Sequence, residues 1–230
     1  MSDSIQPKNI GLVLTAGGNS SRMQGLKKEF LPFGKSTVLE TCIETFRQFS
    51  EITCIAVCTN RPDVPLPKDI IIAPGGQTRE ESVYNALQML ATRHPQWVLI
   101  HDGARPWAAY DLIAGVIEAM KKHQAAIPLS PLTETAKIID KPLDFSGKSS
   151  TEQDTFITGH PKRALMGNAQ TPQGFAFEPL LRAFEKAFRE GFLAQCTDDA
   201  EVWARCYGKP VAAVRGDMAN KKITYPEDLP

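Results

Sequence analysis

With 230 residues, 42% of them apolar, the chain can bury one sizeable core, and a single domain spanning 1–230 is expected. Lysine plus arginine (26) equal aspartate plus glutamate (26), which excludes a long-range basic field that would gather nucleic acid or anionic lipid, so any phosphate site must be local. MSDSIQPK at the start carries no apolar signal core, and runs such as GLVLTAGG are too short to cross a bilayer, so a cytoplasmic protein bound to neither membrane nor nucleic acid is expected. The five cysteines lack metal-ligand spacing and read as reduced, mostly buried thiols.

In chain order, NIGLVLTA reads as a first strand. Thr37 to Phe49 has apolar residues at helical spacing (Val38, Cys42, Phe46, Phe49), followed by strands ITCIAVC and DIIIA. Arg79 to Arg93 is a helix, WVLIH a fourth strand, Tyr110 to Lys122 a helix and AAIPLSPL a fifth strand. This βα alternation predicts an α/β fold, a mostly parallel sheet with helices on both faces. The rhythm breaks at Ile138 to Lys162, where Pro, Gly, Ser, Asp and Lys mix with few core positions, as in an arm leaving the compact body. Helices near Glu178 to Arg189 and Asp198 to Tyr207, and a strand at VAAV, complete the domain.

Ligands of open α/β sheets bind beyond the carboxyl ends of the strands, so the loops there carry the chemistry. After the first strand, AGGNSSRMQGLKKEF offers small residues whose backbone N–H groups can cradle phosphate, with Arg22, Lys27 and Lys28 adding positive charge; it is neither a Walker A nor a dinucleotide fingerprint. APGGQTREESV again places glycines before a helix, with Arg79 and Ser82 on its first turns, and suits either a base-reading slot or an ordinary turn capped by Thr78. HDGARPW puts Asp102 at the end of the fourth strand, where a carboxylate can hold a divalent cation or pair locally with Arg105. His101 reads as a structural residue. In the polar segments NAQTPQGF, TDDAEVW and GDMANKKITYPEDL, Thr171 offers a hydroxyl to an acceptor phosphate or caps a turn, Asp198 and Asp199 suit an acidic first turn, and Lys222 offers a point charge.

LTAGGNSSRM, KKEFLPFG, GGQTREESV, HDGARP, TPQGF, TDDAEV and NKKITYPEDL, taken together in this order over residues 9–229, resemble the 2-C-methyl-D-erythritol 4-phosphate cytidylyltransferases and their ribitol-5-phosphate relatives. The resemblance implies a Rossmann-like sheet, a Mg²⁺-dependent attack of an acceptor phosphate on the α-phosphorus of CTP, release of pyrophosphate, and a homodimer formed through the arm. It gives catalytic roles to Arg22, Lys28 and Lys222. The nucleotide falls to Ala16, Gly17, Gly18, Gly76, Ser82 and Asp102, with Asp102 also at the metal, and a small polyol phosphate to Arg105, Thr135, Arg163 and Thr171. Where the relatives carry Pro before the loop lysine this chain has Lys27, which competes with Lys28 for that role, and Glu134 stands where they carry Asp.

Overall fold

The computed structural model describes residues 9–18, 23, 26–61, 63–143 and 154–229. Strand β1 (Ile10–Thr15) leads through a 3-10 turn at Lys28–Phe30 and a small hairpin, β2 (Pro32–Phe33) and β3 (Ser36–Thr37), into helix α1 (Val38–Phe46). Strands β4 (Ile52–Thr59) and β5 (Ile71–Pro74) precede α2 (Arg79–Leu90), and β6 (Trp97–Asp102), α3 (Tyr110–His123) and β7 (Ala125–Ser130) follow. The arm contributes β8 (Ile138–Ile139) and β9 (Ile157–Gly159); then come β10 (Asn168–Ala169), β11 (Gln173–Ala176), α4 (Phe177–Arg189), α5 (Asp199–Tyr207) and β12 (Ala212–Arg215).

Strands β5, β4, β1 and β6 lie side by side and parallel, in that order. Next to β6 runs β11, antiparallel, and it pairs in turn with β7. Strand β10 continues along β7, and β12 pairs with β7 in parallel. The antiparallel insertion at TPQGF departs from the loop expected there. Four residues with one large apolar side chain, Phe175, give no usable periodicity, and the segment becomes a strand because it fills the gap between two long buried ones.

Side-chain alternation along β1 divides the core. Leu12 and Leu14 pack with α1 and α3 through Leu39, Ile43, Phe46, Val116 and Met120. Val13 faces the opposite layer, where α2, α4 and α5 bring Leu87, Leu90, Phe184 and Trp203. Each such fully buried large side chain stabilises the fold by roughly 1.5–3 kcal/mol. Helices therefore cover both faces, as expected. The helix starts are set by local chemistry: Thr37 and Glu40 form a reciprocal capping box on α1, and Thr78 caps α2 by accepting from the Glu81 N–H at 3.1 Å. Cysteines 42, 58 and 196 are buried, 54 and 206 half-buried, and all five are free thiols.

Strands β8 and β9 pair antiparallel as the root of the arm, whose residues 144–153 lie outside the described ones. Among the described residues no helix is long and apolar enough to cross a membrane.

Candidate active site

Because β1, β4, β5 and β6 are parallel, Thr15, Thr59, Pro74 and Asp102 end at one edge of the sheet, and a cleft of about 290 Å³ opens there. Gly17, Gly18 and Lys28 form one wall, Gly76, Gln77 and Ser82 another, and Asp102 with Lys222 the floor toward the C-terminal segment. A second cleft, bounded by Arg105, Gln170, Thr171 and Gln173, adjoins it and shares Arg79, Asp102 and Lys222 with it. Two ligands seated in the two clefts would meet across those three side chains.

Asp102 organises this boundary. Its Oδ1 receives Arg79 Nε at 3.3 Å and the Thr15 hydroxyl at 3.4 Å, while Oδ2 receives Arg105 Nε at 3.2 Å and Lys222 Nζ at 2.9 Å. Burial would raise its pKa, but the charges of Lys222, Arg79 and Arg105 hold the carboxyl well below the usual range. The three cations thus favour the ionised carboxylate, which draws them around one point.

Arg79 extends the network, with Nη1 and Nη2 bonding bidentately to Asp199 at 3.0 and 2.8 Å. Burial would lower the Arg79 pKa, yet the carboxylates of Asp199 and Asp102 raise it well above its ordinary value. Asp198, next in the chain, caps α5 by accepting from the Glu201 N–H at 2.8 Å, and its second oxygen accepts from the Gln173 amide at 2.9 Å. TDDAEV therefore serves both as the acidic first turn expected and as a counter-ion for Arg79, a partner 120 residues away that no local reading supplies.

Behind Asp102 lies a neutral relay. The Asp102 N–H donates to Thr171 Oγ1 at 3.0 Å, and Thr171 Oγ1 and His101 Nδ1 are 3.1 Å apart. His101 Nε2 is 3.1 Å from the Arg105 carbonyl, which can only accept, so Nε2 carries the proton and Nδ1 accepts from Thr171. Burial against Phe46 lowers the imidazole to about 4, so His101 is the neutral structural residue that the sequence suggests. The Thr171 hydroxyl, expected at the acceptor, has both its bonds inside this relay and lines the second cleft from a buried position. Asn220 ties the C-terminal segment down: its side-chain amide donates to the Thr171 carbonyl at 2.8 Å, and its backbone carbonyl accepts from Arg105 Nη1 at 2.8 Å.

Lys28 is buried, and its Nζ donates to the Ile223 carbonyl at 2.6 Å, next to Lys222. Lys27 is half-buried and donates to the Gly18 carbonyl at 2.7 Å. The alternative left open between them divides accordingly: Lys28 lines the cleft, whereas Lys27 braces the loop. Gly76 has a steric reason to be glycine, since a Cβ there would lie 2.9 Å from the Ser82 backbone nitrogen and overlap Glu81. Its N–H donates to Ser82 Oγ at 2.9 Å, and that hydroxyl donates to the Thr78 carbonyl at 2.9 Å, so Ser82 holds the slot open while lining it.

The structure thus gathers Gly17, Gly18, Lys28, Gly76, Ser82, Asp102, Arg105, Thr171 and Lys222, with Ala16 buried beside them, its N–H donating to the Cys58 carbonyl. Arg22 lies outside the described residues. Thr135 and Arg163 are exposed at the base of the arm and line neither cleft; Arg163 Nη1 reaches the Thr133 carbonyl at 3.4 Å. Arg79 and Asn220 complete the site without having been singled out as site residues, Asn220 because nothing near it in sequence announces a tie to Thr171.

Among the described residues no three carboxylate, imidazole or thiol groups gather as a metal cluster. Two carboxylates, Asp102 and Glu29, line the first cleft, and Glu29 Oε2 is a buried oxygen without a hydrogen-bond partner among the described residues. Such a sparse set fits Mg²⁺, which keeps several waters and takes one or two carboxylates together with substrate phosphates.

The model of the family described as 2-C-methyl-D-erythritol 4-phosphate cytidylyltransferase matches residues 10–230. The enzyme of that name from Symbiobacterium thermophilum is 34% identical over 230 residues, covering 96% of this chain and 89% of its own. A bifunctional IspD/IspF enzyme from Bradyrhizobium sp. (strain ORS 278) is 36% identical over 94% of this chain, which spans 54% of that relative's length. Among solved structures, the Thermus thermophilus cytidylyltransferase superposes with a TM-score of 0.71 at 31% identity, covering 94% of this chain and 93% of that one. The Francisella tularensis enzyme gives 0.78 at 26% identity, covering 96% of each. Seven ordered motifs, the two joined clefts and the family match over nearly the whole length agree: the chain belongs to the 2-C-methyl-D-erythritol 4-phosphate cytidylyltransferase family.

Proposed function

We propose that this protein is a CTP-dependent cytidylyltransferase of the cytoplasm, transferring CMP to 2-C-methyl-D-erythritol 4-phosphate in the supply of isoprenoid precursors. The observation that carries the reading is the shared wall of the two clefts, where Lys222, Arg79 and Arg105 converge on Asp102 at 2.9 to 3.3 Å. An acceptor phosphate in the second cleft would be held by Arg105 and Lys222, and the triphosphate in the first by the Gly17–Gly18 backbone, Lys28 and Lys222. An acceptor phosphate oxygen then forms a bond to the α-phosphorus while the α–β bridging bond breaks, and its electron pair leaves on pyrophosphate. Positioning and cationic stabilisation suffice for such a transfer, and Lys28 and Lys222 supply both, with Arg22 assigned to the same task by family likeness. No covalent nucleophile is needed, and neutral His101, enclosed in its relay, is not asked to act as a base. Mg²⁺, when bound, neutralises part of the triphosphate charge.

Gly76 and Ser82 shape a rigid slot for cytosine, whose 4-amino donor separates it from uracil. The arm supports a homodimer: Ile138, Phe156 and Ile157 expose more than half of their surface, and Leu165 82%, more apolar area than a lone subunit gains from displaying. In the dimer Arg163 and Thr135 would complete the acceptor site of the second subunit. Pyrophosphate release measured with CTP or UTP, and with 2-C-methyl-D-erythritol 4-phosphate or ribitol 5-phosphate, tests the reading. Turnover should need CTP, the erythritol phosphate and divalent cation; faster release with ribitol 5-phosphate, or undiminished release in excess chelator, would overturn it.

A further inference from the structure

Glu29 stands apart from every other charged group of the cleft. It is 4% exposed, lines the nucleotide cleft from the 3-10 turn that also carries Lys28, and leaves Oε2 buried without a hydrogen-bond donor among the described residues. A buried carboxylate oxygen in that condition costs free energy unless a water, an ion or a ligand supplies the missing partner. The second acid of the same cleft is the reverse case, since Asp102 already receives Arg79, Arg105, Lys222 and Thr15 and would have to release one of them to take a further charge. Burial raises the pKa of the Cys42 thiol and both carboxylates add to that rise, and Glu29, held by its own backbone N–H, also feels the charges of Lys28, Lys27 and Lys222. Its surroundings are therefore those of the phosphate end. Anionic phosphate cannot satisfy a carboxylate oxygen there, but a divalent cation accompanying that phosphate can.

We infer that Glu29, and not Asp102, is the carboxylate through which this chain holds the divalent cation of its nucleotide complex. The inference rests on the proposed reading of the cleft as a CTP site. Asp102 instead keeps the three cations of the shared wall in register. One carboxylate completing a shell made mainly of phosphate oxygens and water is the coordination Mg²⁺ prefers, which accounts for the lack of any three-acid cluster among the described residues. Raised by burial above its ordinary value despite the neighbouring lysines, the Glu29 carboxyl is also one whose ionised form gains from an added positive charge.

Two titrations on the same protein separate this inference from the reading beneath it. Metal-free CTP binding by the unaltered chain tests the site; failure to bind CTP would sink both. With CTP saturating, free Mn²⁺ followed by electron paramagnetic resonance gives the affinity of the complex for the cation. Glu29→Gln should weaken Mn²⁺ binding roughly ten- to a hundredfold, the usual effect of losing a group that supports a metal, while metal-free CTP binds as tightly or more tightly because a like charge has gone. Unchanged or improved Mn²⁺ affinity in the variant, with CTP still bound, would overturn the inference alone. Should Glu29→Gln fail to fold, the unaltered chain carrying glutamate labelled with ¹³C at the side-chain carboxyl decides the matter. A ¹³C coupling to bound Mn²⁺ in electron–nuclear double resonance supports the inference, and its absence overturns it.

Discussion

Four donors of the same chain meet the Asp102 carboxylate, whereas at the base of the arm Thr135 stands exposed and Arg163 reaches one carbonyl at 3.4 Å. Both regions carry residues that the family resemblance assigns to the substrates. One is finished within a single chain and sits on strand ends whose positions the core over-determines; the other is presented on a surface with exposed Phe156, Ile157 and Leu165 nearby in sequence. A polar site completed by its own fold can be rigid before any ligand arrives, but a polar group on an exposed arm gains fixed geometry only from what packs against it. The comparison thus separates polar groups that this chain fixes by itself from groups whose geometry depends on what packs against the arm.

The sharpest way to break the comparison is to put the two regions on different subunits. Lys28→Met chains and Arg163→Ala chains should each be nearly inactive alone. A heterodimer of the two carries one site with both defects and one with neither if Arg163 serves the partner's acceptor cleft, so activity should return on mixing. Persistent inactivity in heterodimers verified by mass would place Arg163 in its own subunit's site.

Within the finished region, Lys28→Met and Lys222→Met should each lower kcat by about a hundredfold, the loss of one transition-state charge contact. Circular dichroism and melting should stay near those of the parent chain. Lys222→Met is the more informative, since it also removes the 2.9 Å partner of Asp102 and should raise KM for the acceptor, whereas Lys28→Met should leave that KM alone. An equal rise in acceptor KM for both would mean that the two clefts are not separate.

How much of this could be read in the sequence follows from the range of each interaction. Strand ends and the glycines after them are local signals, so the cleft, Lys28, Gly76, Ser82 and Asp102 were legible from runs of fewer than a dozen residues. Helix caps at Thr37, Thr78 and Asp198 are local too. Arg79 with Asp199, and Asn220 with Thr171 and Arg105, join segments 49 to 120 residues apart, and such pairings exist only once the sheet has brought the strand ends together. Antiparallel β11 escaped for a related reason: its strand character comes from its two neighbours and not from its own four residues.

The pH dependence of stability sharpens the account of Asp102. Its folded pKa is depressed below the unfolded value, so its contribution is fully present above an unfolded pKa of about 3.9 and is lost as pH falls toward the folded value. Urea unfolding of the parent chain should therefore show stability falling on the acid side, below about pH 4, and Asp102→Asn should flatten that limb while lowering stability at pH 7. A limb of the same slope in the variant would mean that other carboxylates carry the acid sensitivity, and that the three cations do not depend on Asp102 for their placement.

The smallest expected effect belongs to Lys27, and it decides how finely the finished region is built. Lys27 and Lys28 are adjacent, equally charged, and near the same glycine loop, so charge and position do not rank them and only the family resemblance prefers Lys28. The structure ranks them by where each ammonium goes. Lys28 is buried, lines the cleft and donates to the Ile223 carbonyl beside Lys222, so its charge is poorly screened and lies where the proposed reading puts the triphosphate. Lys27 is half-buried and its ammonium bonds to the Gly18 carbonyl, where solvent screens the charge and the bond steadies a turn. Removing it should loosen the loop without deleting a cation from the reaction. Lys27→Met should then lower kcat less than about tenfold and act mainly on KM for CTP, against about a hundredfold on kcat for Lys28→Met. Steady-state kinetics on the two variants side by side tests the ranking. If Lys27→Met proves the severe one, the catalytic lysine is displaced by one residue, and the burial of Lys28 against Ile223 serves the fold instead of the phosphate.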